Sequence, residues 1–163
     1  MLGLTVVEDE YDHDAWLREV GAVPGPDSTA DEPERGRRCL RCFQMRLRRT
    51  AQLAAERGIP YIATTLSTSR WKSLTQINEA GASATEGTDI TFLPRNWRKG
   101  GLQERRNQLV RELEFYNQLY CGCEFSKRNM EAKEQKRTME EKKQKRTMEA
   151  KEQKHDIESK AQK

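Results

Sequence analysis

The sequence predicts an α/β fold, a partial parallel sheet with helices, followed by a charged C-terminal tail that is helical or disordered. Apolar residues recur at steps of three and four over residues 40–54, as in an amphipathic helix. An apolar run at residues 59–66 follows directly and indicates a strand. Alternating helices and strands are typical of parallel sheets. We therefore expect an α/β domain over residues 1–126 and a separate tail over residues 127–163.

The first thirty residues predict a strand, a helix and a loop. The run Leu-Thr-Val-Val at residues 4–7 indicates a short buried strand. A helix is predicted around Trp16, Leu17 and Val20, and Gly21 is expected to end it. Proline, glycine and aspartate at residues 23–29 indicate a loop, which delivers the chain to its most distinctive motif.

That motif is a pair of cysteines, Cys39 and Cys42, at the predicted start of a helix that runs to Gly58. Unpaired N–H groups and the positive end of the helix dipole favour the thiolate at such a position. Thiolates bind metals and attack disulfides. The pair alone is weak evidence, because zinc sites, redox disulfides and chance all produce this spacing. Three arginines surround it: Arg37, Arg38 and Arg41.

Hydroxyl side chains follow the predicted strand at residues 59–66. We expect them to lead into a helix with an apolar stripe of Trp71, Leu74 and Ile77, closed by Gly81. In α/β folds this strand-to-helix position binds phosphate. A simple helix cap by Ser67 or Ser69 explains the pattern equally well. The candidate phosphate ligands are Thr65, Ser69 and Lys72.

A third strand is predicted at residues 90–93, and a helix at residues 102–115. Between them, Arg98 and Lys99 precede two glycines, a loop that can wrap a phosphate with backbone amides and two charges. A flexible basic loop without a specific role is the alternative. The helix at residues 102–115 leads to another cysteine pair, Cys121 and Cys123.

Charge is distributed unevenly along the chain. The tail at residues 127–163 has 13 basic and 8 acidic residues, so it supplies more than the whole net charge of +4. Residues 1–34 are strongly acidic, whereas residues 35–126 have 16 basic and 8 acidic side chains. This basic half suits an anionic partner such as RNA, although a solvated basic face explains the same counts.

The sequence predicts a cytoplasmic protein without a membrane segment. No apolar run approaches the ~18 residues of a membrane span, and the N-terminus lacks the basic-then-apolar order of a secretion signal. In a reducing compartment, four cysteines indicate metal or redox chemistry. Zinc could gather all four, although Cys42 and Cys121 are far apart for a zinc ribbon. A redox dithiol would use one pair, and iron–sulfur binding accommodates both.

Four separated runs, in order, resemble one known family. They are EPERGRRCLRCFQMRLRRTA at residues 32–51, ATTLSTSRWK at residues 63–72, RKGG at residues 98–101 and YxxxYCGCEFS at residues 116–126. The chain resembles the QueH family of iron–sulfur epoxyqueuosine reductases, which complete the queuosine base of tRNA. The family usually has an arginine where Asn117 stands here.

The resemblance implies an oxidoreductase with a Rossmann-like domain of the adenine nucleotide alpha hydrolase type. It implies that Cys39 and Cys42 bind a 4Fe–4S cluster, with room for an additional iron, and that Cys121 and Cys123 form a redox-active disulfide. The reaction would remove the epoxide oxygen of epoxyqueuosine at the wobble position, leaving an alkene and water. The resemblance leaves the electron donor unnamed. The residues expected to bind the tRNA are Arg37, Arg38, Arg41, Thr65, Ser69, Lys72, Arg98 and Lys99.

Family members begin earlier, with a strand and a loop whose adjacent cysteines also bind the cluster. We therefore expect that this chain is truncated at its N-terminus relative to the family. The alternative function is a catalytically impaired metal-binding module, holding zinc or a cluster, that binds RNA.

The tail repeats with a period of nine, visible at Met130, Met139, Met148 and Ile157. At ~100° per residue, successive copies fall on opposite sides of a helix, so no apolar stripe forms. We expect a solvated helix or disorder rather than a coiled coil.

Overall fold

The structure, a computed structural model, describes residues 3–161, without the side chains of residue 150 and residues 152–161. The chain forms two units, Met1–Tyr116 and Asn117–Lys163. In order, the elements are α1 (His13–Val20), α2 (Arg37–Glu56), β1 (Tyr61–Ile62), a 3₁₀ helix (Thr65–Thr68), α3 (Leu74–Thr85), β2 (Thr91–Phe92), α4 (Leu102–Glu112) and α5 (Glu124–Ala161).

Helix α2 forms the centre of the first unit, and the predicted apolar face is confirmed. The half of that face nearer the cysteines packs against α3, and the other half packs beside the two strands. Because both clusters share α2, the cysteines at its start have a rigid support. The buried members of the first cluster are Phe43, Leu47, Ile77 and Ala80, and those of the second are Ala51, Ala54, Ile62 and Ile90.

The two strands pair in parallel, with Tyr61 opposite Thr91 and Ile62 opposite Phe92. Helix α3 lies between them in the chain, so the predicted parallel α/β arrangement is present as one strand–helix–strand unit. Strand β1 is shorter than the strand predicted at residues 59–66. At Thr65 the chain turns into the 3₁₀ helix, which Thr64 caps by accepting the Leu66 N–H at 3.2 Å. Two strands do not make up a Rossmann-like sheet. The described residues therefore show a mixed α/β fold with a two-stranded parallel sheet.

Helix α3 differs from its prediction at both ends. It is capped by Ser73, whose hydroxyl accepts the Gln76 N–H at 3.3 Å, and not by Ser67 or Ser69. Trp71 therefore precedes the helix and is not part of its apolar stripe. Gly81 does not end α3 but lies inside it. A glycine is needed there because the Phe92 ring occupies the space that a Cβ would take.

The strand predicted at residues 4–7 is wrong. These residues have no regular secondary structure, and their side chains are exposed. The apolar run has no neighbouring strand to pair with in the described sheet, which contains β1 and β2 alone. Helix α1 follows as predicted, capped by Asp12 at its start and ended by Gly21, whose φ of 73° is left-handed.

The second unit contains α5, a helix of 38 residues that begins three residues before the expected tail. Met139 and Met148 are exposed, which agrees with the absence of an apolar stripe. The side chain of Ile157, the last copy of the repeat, lies outside the described residues. Within the described chain, no helix has both the length and the apolar character needed to cross a membrane.

Candidate thiol sites and basic loops

The first cysteine pair lies where predicted, within the first two turns of α2. The helix begins at Arg37, so Cys39 is its third residue and Cys42 its sixth. Their spacing places both thiols on one face of the helix, and both are half-buried. The backbone N–H of Arg35 donates a hydrogen bond to Cys39 Sγ at 3.3 Å. Hydrogen bonds of this kind stabilise sulfur that carries negative charge.

Arg35 connects this thiol to the segment that follows the 3₁₀ helix. Its Nε donates to the Trp71 carbonyl and its Nη2 to the Arg70 carbonyl, each at 2.9 Å. Its own carbonyl accepts from Gln76 Nε2 at 2.8 Å. Its φ of 70° is left-handed, which for a residue other than glycine costs about 1–3 kcal/mol. The three side-chain bonds hold this conformation. The sequence analysis did not single out Arg35, because no sequence pattern marks an arginine for such a φ.

Two segments at the carboxyl ends of β1 and β2 meet; we call residues 64–73 and 93–101 the strand-end loops. Ser67 Oγ donates to the Arg95 carbonyl at 2.7 Å, and Trp97 Nε1 donates to the Thr64 carbonyl at 2.8 Å. Ligands of parallel α/β folds bind at this edge of the sheet. Five of the predicted site residues lie on these loops: Thr65, Ser69, Lys72, Arg98 and Lys99.

These five side chains have different surroundings. Thr65 and Lys99 are exposed, whereas Ser69, Lys72 and Arg98 are half-buried. The Ser69 hydroxyl accepts the Trp71 N–H at 3.3 Å, so it shapes the backbone of its own loop. The charged groups of Lys72, Arg98 and Lys99 thus form the basic part of the loops.

The three arginines beside the cysteines all have intramolecular contacts. Arg38 is only 3% exposed, and its Nη1 donates to the carbonyls of Thr29 and Ala30. Arg41 lies against Gly21 at the end of α1. These two arginines join the α1 region to α2.

Arg37 makes an ion pair with Glu32, at 2.5 Å between Nε and Oε1. The other carboxylate oxygen of Glu32 accepts the Arg38 backbone N–H at 3.3 Å. The Arg37 guanidinium, together with the backbone N–H groups of Arg38 and Arg37, holds the pKa of Glu32 below its ordinary value. Glu32 therefore satisfies a helix N–H that has no partner within α2.

The second cysteine pair lies at the start of α5 in the second unit. Cys123 directly precedes the helix, and its sulfur accepts the Ser126 backbone N–H at 3.4 Å, the geometry of a helix cap. The hydroxyl of the buried Ser126 accepts the Cys121 N–H at 2.9 Å. Gly122 between them has a φ of 96°, which glycine adopts without strain. Ser126 thus contacts both cysteines, a role that the sequence analysis missed although Ser126 stands three residues after Cys123.

The four thiols do not by themselves form a complete metal centre in the part of the chain that the structure describes. A metal site needs several ligands close together. Among the side chains that the structure describes, no group of three cysteine, histidine, aspartate or glutamate residues could hold a metal ion. No disulfide joins any of the four cysteines, all of which lie in that range. A 4Fe–4S cluster takes four thiolates. Cys39 and Cys42, on one helix face with a hydrogen-bonded sulfur, fit as two of those ligands but not as a complete set.

The chain combines an α/β unit with a thiol pair at a helix start and basic loops at its strand ends, groups that metal-binding and redox proteins use. The family model for "Epoxyqueuosine reductase QueH" matches residues 1–129. The chain belongs to the QueH family.

Curated relatives agree with this assignment. The epoxyqueuosine reductase QueH of Histophilus somni is 39% identical over 128 residues, covering 78% of this chain and 50% of the relative. The QueH of Acinetobacter baylyi is 38% identical over 124 residues, covering 76% of this chain and 54% of the relative. The QueH of Thermotoga maritima is 42% identical over 96 residues, covering 59% of this chain and 50% of the relative. The chain thus spans about half the length of these relatives.

Proposed function

We propose that this chain acts in the reduction of epoxyqueuosine to queuosine at the wobble position of tRNA, in the cytoplasm. The observation that supports this most strongly is the match to the QueH family over residues 1–129. No specific observation favours the alternative, an RNA-binding module without catalysis.

The electron balance supports a role for the second cysteine pair. Removing the epoxide oxygen as water, with formation of an alkene, consumes two electrons and two protons. Oxidation of Cys121 and Cys123 from two thiols to one disulfide releases two electrons and two protons. A two-electron reductant must then restore the thiols. A disulfide across one intervening residue closes a small ring, and such strained disulfides are easily reduced.

The first pair is proposed to bind metal. Cys39 and Cys42 would provide two thiolate ligands of a 4Fe–4S cluster, and an additional iron is compatible with the same chemistry. When bound, such a cluster transfers single electrons. The Arg35 N–H would stabilise the Cys39 sulfur in that state.

The tRNA is proposed to contact the strand-end loops. Their charged side chains would neutralise backbone phosphates, and hydroxyl and backbone N–H groups would add hydrogen bonds. Arg38 and Arg41 already hold α1 and α2 together, so we assign RNA contact to the other candidates. These are Arg37, Thr65, Ser69, Lys72, Arg98 and Lys99.

Anaerobic loading with iron and sulfide, followed by incubation with epoxyqueuosine-containing tRNA and dithionite, tests this function. The full chain should take up iron, show broad visible absorbance, and yield a nucleoside lighter by one oxygen. Cys39→Ala should lose both iron and product. The control Cys123→Ser should keep its iron and lose the product. Zinc binding without iron uptake, or iron-loaded protein that converts no tRNA, would contradict the proposal.

A further inference from the structure

Trp71 has an exposed ring on a fixed backbone. Its sequence spacing predicts a core position, yet its side chain is 50% exposed. Single apolar residues on a surface are common and need no explanation by themselves. What distinguishes Trp71 is how its surroundings hold it.

The backbone of Trp71 is fixed from several directions. Arg35 donates to the carbonyls of Arg70 and Trp71, each at 2.9 Å. The Trp71 N–H donates to Ser69 Oγ at 3.3 Å, and the Lys72 N–H donates to the Ser69 carbonyl at 3.3 Å. A side chain on such a backbone loses little backbone entropy when it binds a ligand.

A guanidinium accompanies the ring. The Arg70 Cζ lies 4.6 Å from the Trp71 ring centroid, a cation–π contact. An aromatic ring with an adjacent arginine is the combination on which proteins stack unpaired nucleic-acid bases.

The charge of the surrounding loops fits an RNA. The strand-end loops contain five basic side chains and no aspartate or glutamate. The two loops are joined to each other through Ser67 and Trp97, so their charges are held at one edge of the sheet. The five basic residues are Arg70, Lys72, Arg95, Arg98 and Lys99.

We propose that Trp71 is a stacking platform for an unpaired base of the RNA anticodon loop, while the basic side chains of the strand-end loops bind the adjacent phosphates. This rests on the proposed function, which supplies the tRNA substrate, and it adds the residue that would recognise a base. A base has a π-face whatever its identity, so Trp71 would hold the loop without reading its sequence.

The test is the affinity of the full chain for a fluorescently labelled anticodon hairpin of unmodified RNA, measured by anisotropy at low and moderate salt. Trp71→Ala should weaken binding by about tenfold, the scale of one base–aromatic stack. Trp71→Phe keeps an aromatic ring and should stay within about threefold. Tyr11→Ala removes an exposed ring outside the loops and should change nothing.

A second hairpin, with abasic nucleotides in the loop, isolates the stacking contribution. If Trp71 stacks on a base, Trp71→Ala should cause no further loss on the abasic hairpin. Equal affinity of Trp71→Ala and wild type for the normal hairpin, or an equal loss on both hairpins, overturns the stacking proposal but leaves the proposed function intact. Failure of the wild-type chain to bind the hairpin even at low salt overturns the proposed RNA surface as well.

Discussion

Glu32 links the loop before α2 to the first turn of that helix. One of its oxygens pairs with Arg37, and the other accepts the Arg38 N–H. Negative charge at this end of a helix is favourable, because the N-terminus of the helix dipole is positive. A single half-buried carboxylate thus helps to define where the cysteine-bearing helix starts.

Replacing Glu32 by Gln should lower the melting temperature at neutral pH, since the charge is lost while the shape is kept. The pKa of Glu32 is lowered in the folded protein, so its stabilising effect is complete above the ordinary glutamate pKa of about 4.3. It is lost as the pH falls through the lowered pKa. The difference between wild type and variant should therefore shrink on acidification below about pH 4.

Asp31→Asn changes a neighbouring exposed carboxylate and serves as the control. A melting difference for Glu32→Gln that stayed constant from neutral to acidic pH would show that charge is not the cause.

Residue identity alone predicted some of this site and not the rest. Cys39 and Cys42 were placed correctly, because helix periodicity fixes their position on α2. Trp71 was misplaced, because it stands three residues before Leu74 and so matches a helical stripe. Ser73 decides the outcome. It caps α3, so the helix begins at Leu74 and Trp71 stays in the preceding loop.

At the scale of elements, α3 and β2 pack unusually closely. Gly81 is a buried residue of α3, and the ring of Phe92 lies where its Cβ would be. Glycine inside a helix is normally unfavourable by roughly 0.5–1 kcal/mol relative to alanine. Here it permits the contact that brings the strand against the helix.

Gly81→Val should destabilise the fold by about 1–3 kcal/mol, because the Phe92 ring must move away from the new side chain. Chemical denaturation measures this change. Ala82→Val introduces the same branched residue at an exposed position of α3 and should have a much smaller effect. Valine forms helix better than glycine and worse than alanine, so helix propensity alone would make Gly81→Val the more stable change of the two. A stability of Gly81→Val equal to or above that of the wild type would contradict the packing explanation.

The sheet shows why element lengths were harder to predict than their order. The parallel order follows from the alternation of helix and strand, and it is confirmed. The apolar run at residues 59–66 does not reveal that Thr64 caps a 3₁₀ helix, which ends β1 early. Residues 4–7 had the composition of a strand but no partner, and a strand forms only when its backbone groups pair.

At the scale of the whole molecule, α5 is the longest helix of the described chain. Thirty-eight residues give a helix about 57 Å long. All side chains from residue 131 to residue 149 are exposed. Ion pairs such as Arg137 with Glu134 and Glu141 lie along it, each adding only about 0.2–0.5 kcal/mol.

Truncation after Met130 should leave the melting temperature unchanged within the error of a thermal scan, because every removed side chain that the structure describes is exposed. The cut keeps Cys123, Ser126 and the start of α5. A clear drop in melting temperature would show that the removed residues stabilise the folded chain. Far-ultraviolet circular dichroism should lose helix signal in proportion to the residues removed.

The chain's three tryptophans differ in how far their side chains are exposed to water. Trp16 is 6% exposed, Trp97 36% and Trp71 50%. Indole emission moves to longer wavelength as water approaches the ring, so the spectrum of the native protein is a composite whose blue edge comes from Trp16 and whose red edge comes from Trp71. An iodide quencher should therefore suppress the red edge first. The protein contains its own optical reporters, one for the packing of α1 on α2 and one for the surface of the strand-end loops.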